Sequence, residues 1–334
     1  MSAYLIFVAR RFGQFLLVVF LGISATFFIT HLTPIDPVEE SISAITTFGK
    51  SDPAAIAMMR KTLTELYGLQ GNVFQQYGVF WARLLQGDLG PSLSAFPTPV
   101  SQIIMRALPW TLGLLIVSTL ISFIIGNILG GLAGYYRNSW ILKIVGLGLI
   151  GLQPIPYYIL AFLLLILFGF IWPILPITGG YEMNADMTLS FGLVLDILRH
   201  AILPALSLVL VGAGGWLVSM RALVSNIVTD DYVIFAELGG VRSTRILRSY
   251  VMRNAVVPQF TGLAISLGAI FNGTVITEIV FGYPGIGSLL ISAVHAGDYS
   301  LVLGLASLSI VAVALAVFVI DIVNPLLDPR IKVE

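Results

Sequence analysis

Long apolar runs alternate with short charged segments along this chain of 334 residues. A helix needs about 20 mainly apolar residues to cross about 30 Å of hydrocarbon, so the intervals between charged residues predict where the chain spans a membrane. Six intervals are long enough, and they are bounded by Arg11 and Asp36, Arg106 and Arg137, Lys143 and Glu182, Arg199 and Arg221, Arg253 and Glu278, and Asp298 and Asp321. The pattern therefore predicts an all-α polytopic membrane protein with six transmembrane helices.

The third of these intervals is longer than one span requires. It holds 38 uncharged residues between Lys143 and Glu182. We expect one long helix followed by an apolar loop. Because proline lacks the amide hydrogen that a helix interior uses, four prolines are expected to act as kinks or stops: Pro154, Pro156, Pro173 and Pro176.

The segments between the predicted spans differ greatly in length. Residues 34–107 form the longest, and two amphipathic patches within them, 54–66 and 73–85, predict helices on the outer face. Residues 281–298 open with a Gly-Tyr-Pro-Gly turn and should continue as a short apolar helix. We accordingly expect a first transmembrane helix over 1–33, an outer helical cap over 34–107, a transmembrane core over 108–324 with an inner loop over 226–254, and a tail over 325–334.

Composition agrees with a membrane protein and narrows its chemistry. Hydrophobic residues make up 57% of the chain and charged residues 10%, whereas soluble domains average about 25% charged residues. The formal net charge is zero, which gives no reason to expect a nucleic-acid partner. The chain has no cysteine, so disulfides, thiolate chemistry and cysteine-ligated metals are excluded.

The basic residues are distributed unevenly between the two sides of the predicted membrane. If both termini are inside, the inner segments hold 11 of the 17 Lys and Arg residues, and the short outer loops hold Arg199 alone. The other five lie in the long outer cap, where the positive-inside rule carries little weight. The distribution predicts that the amino and carboxyl termini both face the cytoplasm.

No segment carries the signature of an ATPase. The nearest approach to a phosphate-binding loop is 48–51, but the position five before Gly49 holds Ala44 where that loop needs glycine. Ion-coupled carriers place ionisable residues in mid-membrane, and no predicted span has a charge near its middle. We therefore expect a chain that is not an enzyme and that receives energy from other subunits.

Two carboxylates lie at the ends of predicted spans. Glu278 falls at the outer end of the fifth span, where it could gate or line a path, or could be a helix-end carboxylate that is paired or solvated at the interface. Asp321 falls at the inner end of the sixth span. A structural contact of Asp321 with water or a nearby arginine is expected.

A few other polar or small residues within the spans are candidates for a role. Asn127 and Asn272 must find partners in lipid, and each could equally join helices or line a path. Close helix packing is the expected role of Gly126, Gly130, Gly131 and Gly134. No metal site is expected, because no ligand spacing is shared by His31, His200 and His295. His200 itself is interpreted as a helix-start residue.

One charged segment interrupts the apolar last third of the chain. It contains Gly240, and four arginines follow this glycine at helical spacing: Arg242, Arg245, Arg248 and Arg253. A glycine between a short acidic helix and a basic one suits a sharp helix-turn-helix, because glycine accepts positive φ without strain. The segment could merely satisfy the positive-inside rule, or it could be a rigid docking element for a cytoplasmic partner.

At this segment the chain resembles the permease subunits of binding-protein-dependent ABC importers of the dipeptide/oligopeptide/nickel family. Their mark is an inner loop of the form Glu-Ala-Ala, three residues, then Gly. Here Ile234-Phe235-Ala236 and Gly240 stand in that register, with Gly239 in place of a usual lysine. Further stretches similar to the family's motifs cover nearly the whole chain: 32–37, 87–92, 200–206, 231–233, 253–258, 277–287 and 327–330.

The resemblance implies a type I ABC importer permease fold in the bacterial or archaeal cytoplasmic (inner) membrane. It also implies a second, homologous permease chain as heterodimer partner, two cytoplasmic ATPase subunits that bind ATP and Mg²⁺, and an extracytoplasmic solute-binding protein. The permease itself would hold no cofactor. The residues expected to couple it to the ATPases are Asp231, Tyr232, Ala236, Glu237, Gly240, Ser243, Arg245 and Asn254.

The resemblance leaves the solute open. Peptides are the commonest assignment in the family, whereas 214–221 and 261–268 are most similar to a branch assigned to oligosaccharides, and nickel is a third possibility. A stand-alone ion-coupled carrier would need inverted repeats and a mid-membrane carboxylate, and the sequence shows neither. A purely structural membrane scaffold is the remaining alternative.

Overall fold

The computed structural model describes residues 2–32, 38, 39, 42, 53–182, 188, 190–268 and 275–327. Across these residues every regular element is a helix, and a single β-bridge joins Pro91 to Pro99. The helices are α1 (Ser2–His31), α2 (Pro53–Leu66), α3 (Val73–Leu85), α4 (Val100–Tyr135), α5 (Trp140–Leu152), α6 (Tyr157–Leu165), α7 (Phe191–Ile227), α8 (Asp231–Leu238), α9 (Ser243–Arg245), α10 (Arg253–Gly268), α11 (Val275–Val280), α12 (Ile286–His295) and α13 (Tyr299–Leu327). Two π-helical segments, Ile166–Ile171 and Ile246–Met252, continue α6 and α9. The predicted all-α class is confirmed.

Among the described residues, four helices are long and apolar enough to cross a membrane. They coincide with the first, second, fourth and sixth predicted spans: Tyr4–His31, Val100–Tyr135, Phe191–Ile227 and Tyr299–Val323. The fifth predicted span contains α10, which has 16 residues, and then enters 269–274, outside the described residues. The count of six spans and the inward orientation of both termini therefore stay predictions.

The third predicted span differs from expectation. Instead of one long helix, α5 and the helical stretch Tyr157–Ile171 form a pair that is bent by 107° at the break between them. Pro154 and Pro156 lie in this break. Proline lacks the amide hydrogen that a continuing helix would use, so these two prolines end α5, and the expectation of one long helix was wrong.

Helix α7 begins well before the fourth predicted span. It starts at Phe191, after a cap by the Ser190 side chain, and runs for 37 residues. His200 therefore lies in the third turn, and its interpretation as a helix-start residue was wrong. Its Nδ1 is 3.2 Å from Asp196 Oδ1, one turn earlier. The charge of Arg199 set the predicted boundary, but a helix continues past the hydrocarbon wherever its end can be solvated.

The chain divides into two compact units. Unit 1 comprises Met1–Thr111 and Pro284–Ile322 with Val333–Glu334, and unit 2 comprises Leu112–Tyr283 and Val323–Lys332. Unit 1 thus contains the cap together with the first and last long helices. It combines segments that are far apart in the sequence.

In unit 1, the amino-terminal part of α1 pairs with the carboxyl-terminal part of α13, and the two helices meet again near their middles. Arg11 Nη1 lies 3.2 Å from Asp321 Oδ2, and the Tyr4 hydroxyl donates to a carbonyl of α13 at 3.2 Å. Farther along, Gly22 allows close approach, since a Cβ there would lie 3.0 Å from Ile310 Cγ2. The expected contact of Asp321 with a nearby arginine is confirmed.

The two helices predicted within the cap are confirmed as α2 and α3. A reciprocal cap starts α3: the Gln75 amide donates to Asn72 Oδ1 at 2.9 Å, and the Asn72 amide donates to Gln75 Oε1 at 3.0 Å. Residues 100–107 of the expected cap form the first turns of α4, and the bounds of the cap stay a prediction.

A buried carboxylate holds the cap to the start of α13. Asp298 is fully buried, and its Oδ2 accepts from the Ser92 hydroxyl and from the amide and hydroxyl of Ser94. Its Oδ1 accepts from the Leu301 amide at 3.0 Å, which caps α13. Burial of a carboxylate is costly unless donors surround it, and four donors do so here. Burial, with a smaller contribution from the Asp298 charge, raises the pKa of Tyr67 to about 12.

In unit 2, a glycine stripe brings α4 into backbone contact with α7. The stripe consists of Gly126, Gly130 and Gly134, one on each successive turn of α4. A Cβ at Gly126 would lie 2.6 Å from the Ala213 carbonyl oxygen, and one at Gly130 would lie 2.5 Å from the Leu217 carbonyl oxygen. Real side chains could not fit at these distances. The expected packing role of these glycines is confirmed.

Gly130→Ala should lower the thermal stability of the protein in nanodiscs, because the added methyl group would force α4 and α7 apart. Overpacking of this kind costs about 1–3 kcal/mol. Gly113→Ala on the same helix is the matched control, since a Cβ there meets nothing within 4 Å. Equal melting temperatures for the two variants would contradict the close contact.

Asp298→Asn should loosen the cap, because in either amide orientation a buried NH₂ group would face the donors that now surround the carboxylate. The expected loss is about 2 kcal/mol, seen as faster proteolysis within 53–99. Asp88→Asn is the control, since the exposed Asp88 Oδ1 accepts from the Gly90 amide at 2.9 Å and asparagine can keep that bond. Equal proteolysis of the two variants would refute the anchoring role.

Candidate functional site

Helix α8 ends in a turn that fixes the direction of the chain. Asp231 lies in its first turn, where the helix dipole favours negative charge. At its other end, the Gly240 amide donates to the Glu237 carbonyl at 3.0 Å, and the Val241 amide donates to the Ala236 carbonyl at 3.1 Å. Gly240 has a φ of +74°. These two bonds around a left-handed glycine form a Schellman motif.

The turn explains why Ala236 and Gly240 are separated by three residues. In a Schellman motif the left-handed residue stands four positions after the residue whose carbonyl closes the turn, and the next residue packs back on the helix. Ala236 and Val241 accordingly pack on the same buried cluster. The alanine-to-glycine spacing that carries the family resemblance is therefore a helix-stop signal with a defined geometry.

A buried cluster anchors the segment after α7 to α7 itself. Val233 of α8, together with Ile246 and Val251 of the second π-helical segment, is buried against Met220 and Val224 of α7. All five side chains are at most 1% exposed. The helix-turn-helix is thus part of the core of unit 2 and is not a loose loop.

Asn254 joins the two ends of this helix-turn-helix. Its Nδ2 donates to the Tyr232 hydroxyl at 2.9 Å and to the Tyr250 carbonyl at 2.7 Å. Tyr232 lies in α8 and Asn254 at the start of α10, so the bond spans 22 residues of sequence. We call 231–254, closed by this bond and by the buried cluster, the coupling segment.

The other side of the coupling segment is exposed. Phe235 and Leu238, one helical turn apart, are 73% and 80% exposed although both are large and apolar. The arginines of the predicted basic face are also exposed, and in the described part of the chain they make no ion pair: Arg242, Arg245, Arg248 and Arg253. An exposed apolar pair on a basic segment is typical of a surface that binds another protein.

The structure places all eight expected coupling residues in this one segment. Ala236 is half-buried and shapes the turn, whereas the others are exposed: Asp231, Tyr232, Glu237, Gly240, Ser243, Arg245 and Asn254. Sequence reasoning did not include Phe235 and Leu238 among them. The sequence did contain a signal for them, since large apolar residues at helical spacing beside paired glycines are unusual in a charged segment between apolar runs.

Two of the three candidate path residues can be described. Glu278 is fully buried, so the alternative of a carboxylate solvated at the interface was wrong. Burial, together with the nearby Glu278 charge, raises the pKa of Tyr283 to about 12. Asn127 is buried, and its Nδ2 donates to the Phe123 carbonyl at 2.8 Å. Asn272 lies outside the described residues, and the path roles stay predictions.

The histidines occupy separate environments. In unit 1, the His31 ring nitrogens lie 2.9 Å from the Phe27 carbonyl and 3.1 Å from Gln76 Oε1. His295 is exposed at the end of α12. Within the described ranges, no three ligating side chains are grouped as a metal site would need.

A cavity of about 170 Å³ lies within unit 1. Its lining includes the apolar side chains of Phe27, Phe80 and Leu303 and the charged side chains of Arg83 and Asp88. None of the candidate site residues lines it. The coupling segment is therefore the better candidate for the functional site.

Comparison with known proteins identifies the family. Residues 126–333 match the family described as the binding-protein-dependent transport system inner membrane component. The chain belongs to this family. The match includes the whole coupling segment, and the transport role and inner-membrane location expected from the sequence are confirmed.

Relatives of this permease align along most of its length. It is 29% identical to the probable D,D-dipeptide transport system permease protein DdpB of Escherichia coli strain K12, over 92% of this chain and 91% of that protein. It is 30% identical to the oligopeptide transport system permease protein AppB of Bacillus subtilis strain 168, over 84% and 87%. It is 29% identical to the di/tripeptide transport system permease protein DppB of Pseudomonas aeruginosa strain UCBPP-PA14, over 98% of each.

Gly240→Ala should weaken the turn of the coupling segment more than Gly240→Asn does. A Cβ at Gly240 meets nothing within 4 Å, so the cost arises from the backbone alone. The left-handed conformation costs alanine about 1–2 kcal/mol, and asparagine adopts it more readily. Hydrogen exchange of the amides in 231–253 should therefore rise more in the alanine variant. Equal exchange in the two variants would contradict this account of the turn.

Proposed function

We propose that this permease forms one half of the membrane pathway of an ATP-driven importer of short peptides, and that an ATPase subunit docks on its coupling segment. The observation that carries the proposal is the division of this segment into a buried side, packed on α7, and an exposed side with Phe235 and Leu238. A permease without a phosphate-binding loop must receive energy by contact, and this surface suits such a contact.

The packing of the segment would convert a push from the ATPase into a tilt of α7. Val233 and Ile246 press on Met220 and Val224, and packed cores move as bodies because they have little free volume. The Asn254 bond keeps the two helices of the segment at a fixed spacing. Movement of α7 would then change which side of the membrane can reach the pathway.

The proposed complex contains more than this chain. A second, homologous permease would complete the pathway as heterodimer partner, two ATPase subunits would bind and hydrolyse ATP with Mg²⁺, and an extracytoplasmic binding protein would deliver the solute. The family description, a binding-protein-dependent system, supports the last of these. Peptides are the proposed solute because the three relatives above are named for dipeptide, oligopeptide and di/tripeptide transport. Oligosaccharides and nickel are the alternatives.

Replacement of both Phe235 and Leu238 by alanine should release the ATPase and abolish ATP-driven uptake of a radiolabelled tripeptide into vesicles that contain the whole transporter. Truncation of an interface hot spot costs about 2 kcal/mol or more. Phe191→Ala is the matched control, because Phe191 is 83% exposed at the opposite end of α7, about 54 Å away along the helix.

The outcomes distinguish the parts of the proposal. Full retention of the ATPase by the double variant would refute docking at this surface. Uptake of an oligosaccharide or Ni²⁺ in place of the tripeptide would refute peptides as the solute. The proposed ATP-driven mechanism would still hold. Uptake that follows an ion gradient in vesicles without ATPases would identify a secondary carrier instead.

A further inference from the structure

Helix α3 of the cap is apolar on two sides. On one side Tyr77, Phe80 and Trp81 pack against aromatic residues of α1. On the other side an exposed stripe runs the length of the helix at spacings of four, four and three residues: Phe74, Gly78, Ala82 and Leu85. The two large members of this α3 stripe, Phe74 and Leu85, are 77% and 81% exposed.

Helix α2 of the same cap has the pattern of a water-facing helix. Its Leu63 is buried, and its exposed side carries Arg60, Lys61 and Glu65. By contrast, the one charged side chain of α3 is Arg83, and its guanidinium donates to the Leu66 carbonyl at 2.7 Å. The exposed stripe of α3 therefore contains no charge that water would solvate.

The contacts of α3 run far along α1. Gln76 Oε1 lies 3.1 Å from a ring nitrogen of His31 at the end of α1, and the hydroxyls of Tyr77 and Ser24 lie 2.7 Å apart. The ring of Trp81 stacks on Phe20 with centroids 5.3 Å apart. From Phe20 to His31 a helix rises about 16 Å, so the side chains of α3 contact α1 over that length.

This length of α1 is needed to cross the membrane. Charged side chains are costly in hydrocarbon, so the pair of Arg11 with Asp321 is expected at the hydrocarbon boundary at one end of both helices. From Arg11 to Phe20 a helix rises about 14 Å, which is half of the about 30 Å of hydrocarbon. The stretch from Phe20 to His31 must supply the other half. Because α3 lies beside this stretch, it lies at the same depth.

We propose that α3 is embedded in the half of the bilayer distant from Arg11, with its exposed stripe against lipid acyl chains. The alternative, an apolar stripe open to water, would leave the large apolar side chains of Phe74 and Leu85 exposed to water, which is unfavourable. The cap then has two parts: α2 lies in water, and α3 is a half-depth membrane helix. The inference stands apart from the proposed docking of an ATPase, since every residue in it belongs to unit 1.

Spin labels on single cysteines test this depth. Because the chain has no cysteine of its own, Phe74→Cys, Ala82→Cys and Leu85→Cys each report one position, with Lys61→Cys and Glu65→Cys on α2 as controls. The full chain, with any subunits that co-purify, is placed in nanodiscs of phosphatidylethanolamine and phosphatidylglycerol. The accessibility of each nitroxide to O₂ and to a water-soluble nickel chelate is measured by electron paramagnetic resonance.

The ratio of O₂ to nickel accessibility should be several-fold higher at the three stripe positions than at the two α2 positions, because the chelate is excluded from hydrocarbon. Equal ratios on α2 and α3 would overturn the proposal in favour of a stripe in water. Low accessibility to both reagents at the stripe would overturn it in favour of a protein partner that covers this surface. The substituted side chains face away from α1. If one variant fails to fold, the other two stripe positions still test the proposal.

Discussion

The close contact between α4 and α7 is the constraint on which the rest of unit 2 depends. Gly130 and Gly134 face Met220 and Val224 of α7, and the same two side chains form the buried floor beneath α8 and its following π-helical segment. Between helices in lipid the hydrophobic effect contributes little, so van der Waals contact at small residues carries the pairing. A larger residue in the glycine stripe would therefore displace the base of the coupling segment as well as the helix.

The coupling segment combines two properties that a docking element needs. It is stiff, because a buried cluster, a Schellman turn at Gly240 and the bond from Asn254 to Tyr232 hold its helices in one arrangement. It is also exposed on the side away from α7, where Phe235 and Leu238 stand out from a basic surface. These two properties together support the proposed docking of an ATPase subunit, which neither property would support alone.

Two different kinds of contact hold the cap within unit 1. Around Asp298 a buried carboxylate is satisfied by four donors, which holds the loop after α3 to the start of α13. Along α1, by contrast, α3 is held by an aromatic face with few polar bonds. The cap is therefore held at two places: by hydrogen bonds where α13 begins and by aromatic packing along α1.

The sequence by itself determined the elements whose causes are local. Apolar runs predicted the four long helices, amphipathic spacing predicted α3 and, to within one residue, α2, and Gly240 predicted a left-handed turn; the motifs around that glycine predicted the family. Only the tertiary structure decided that Glu278 is buried, that donors near Ser92 surround Asp298, and that Phe235 points away from the core while Val233 points into it. These outcomes depend on residues up to 206 positions apart. A pattern of neighbouring residues does not encode such contacts, because they form only when distant helices pack.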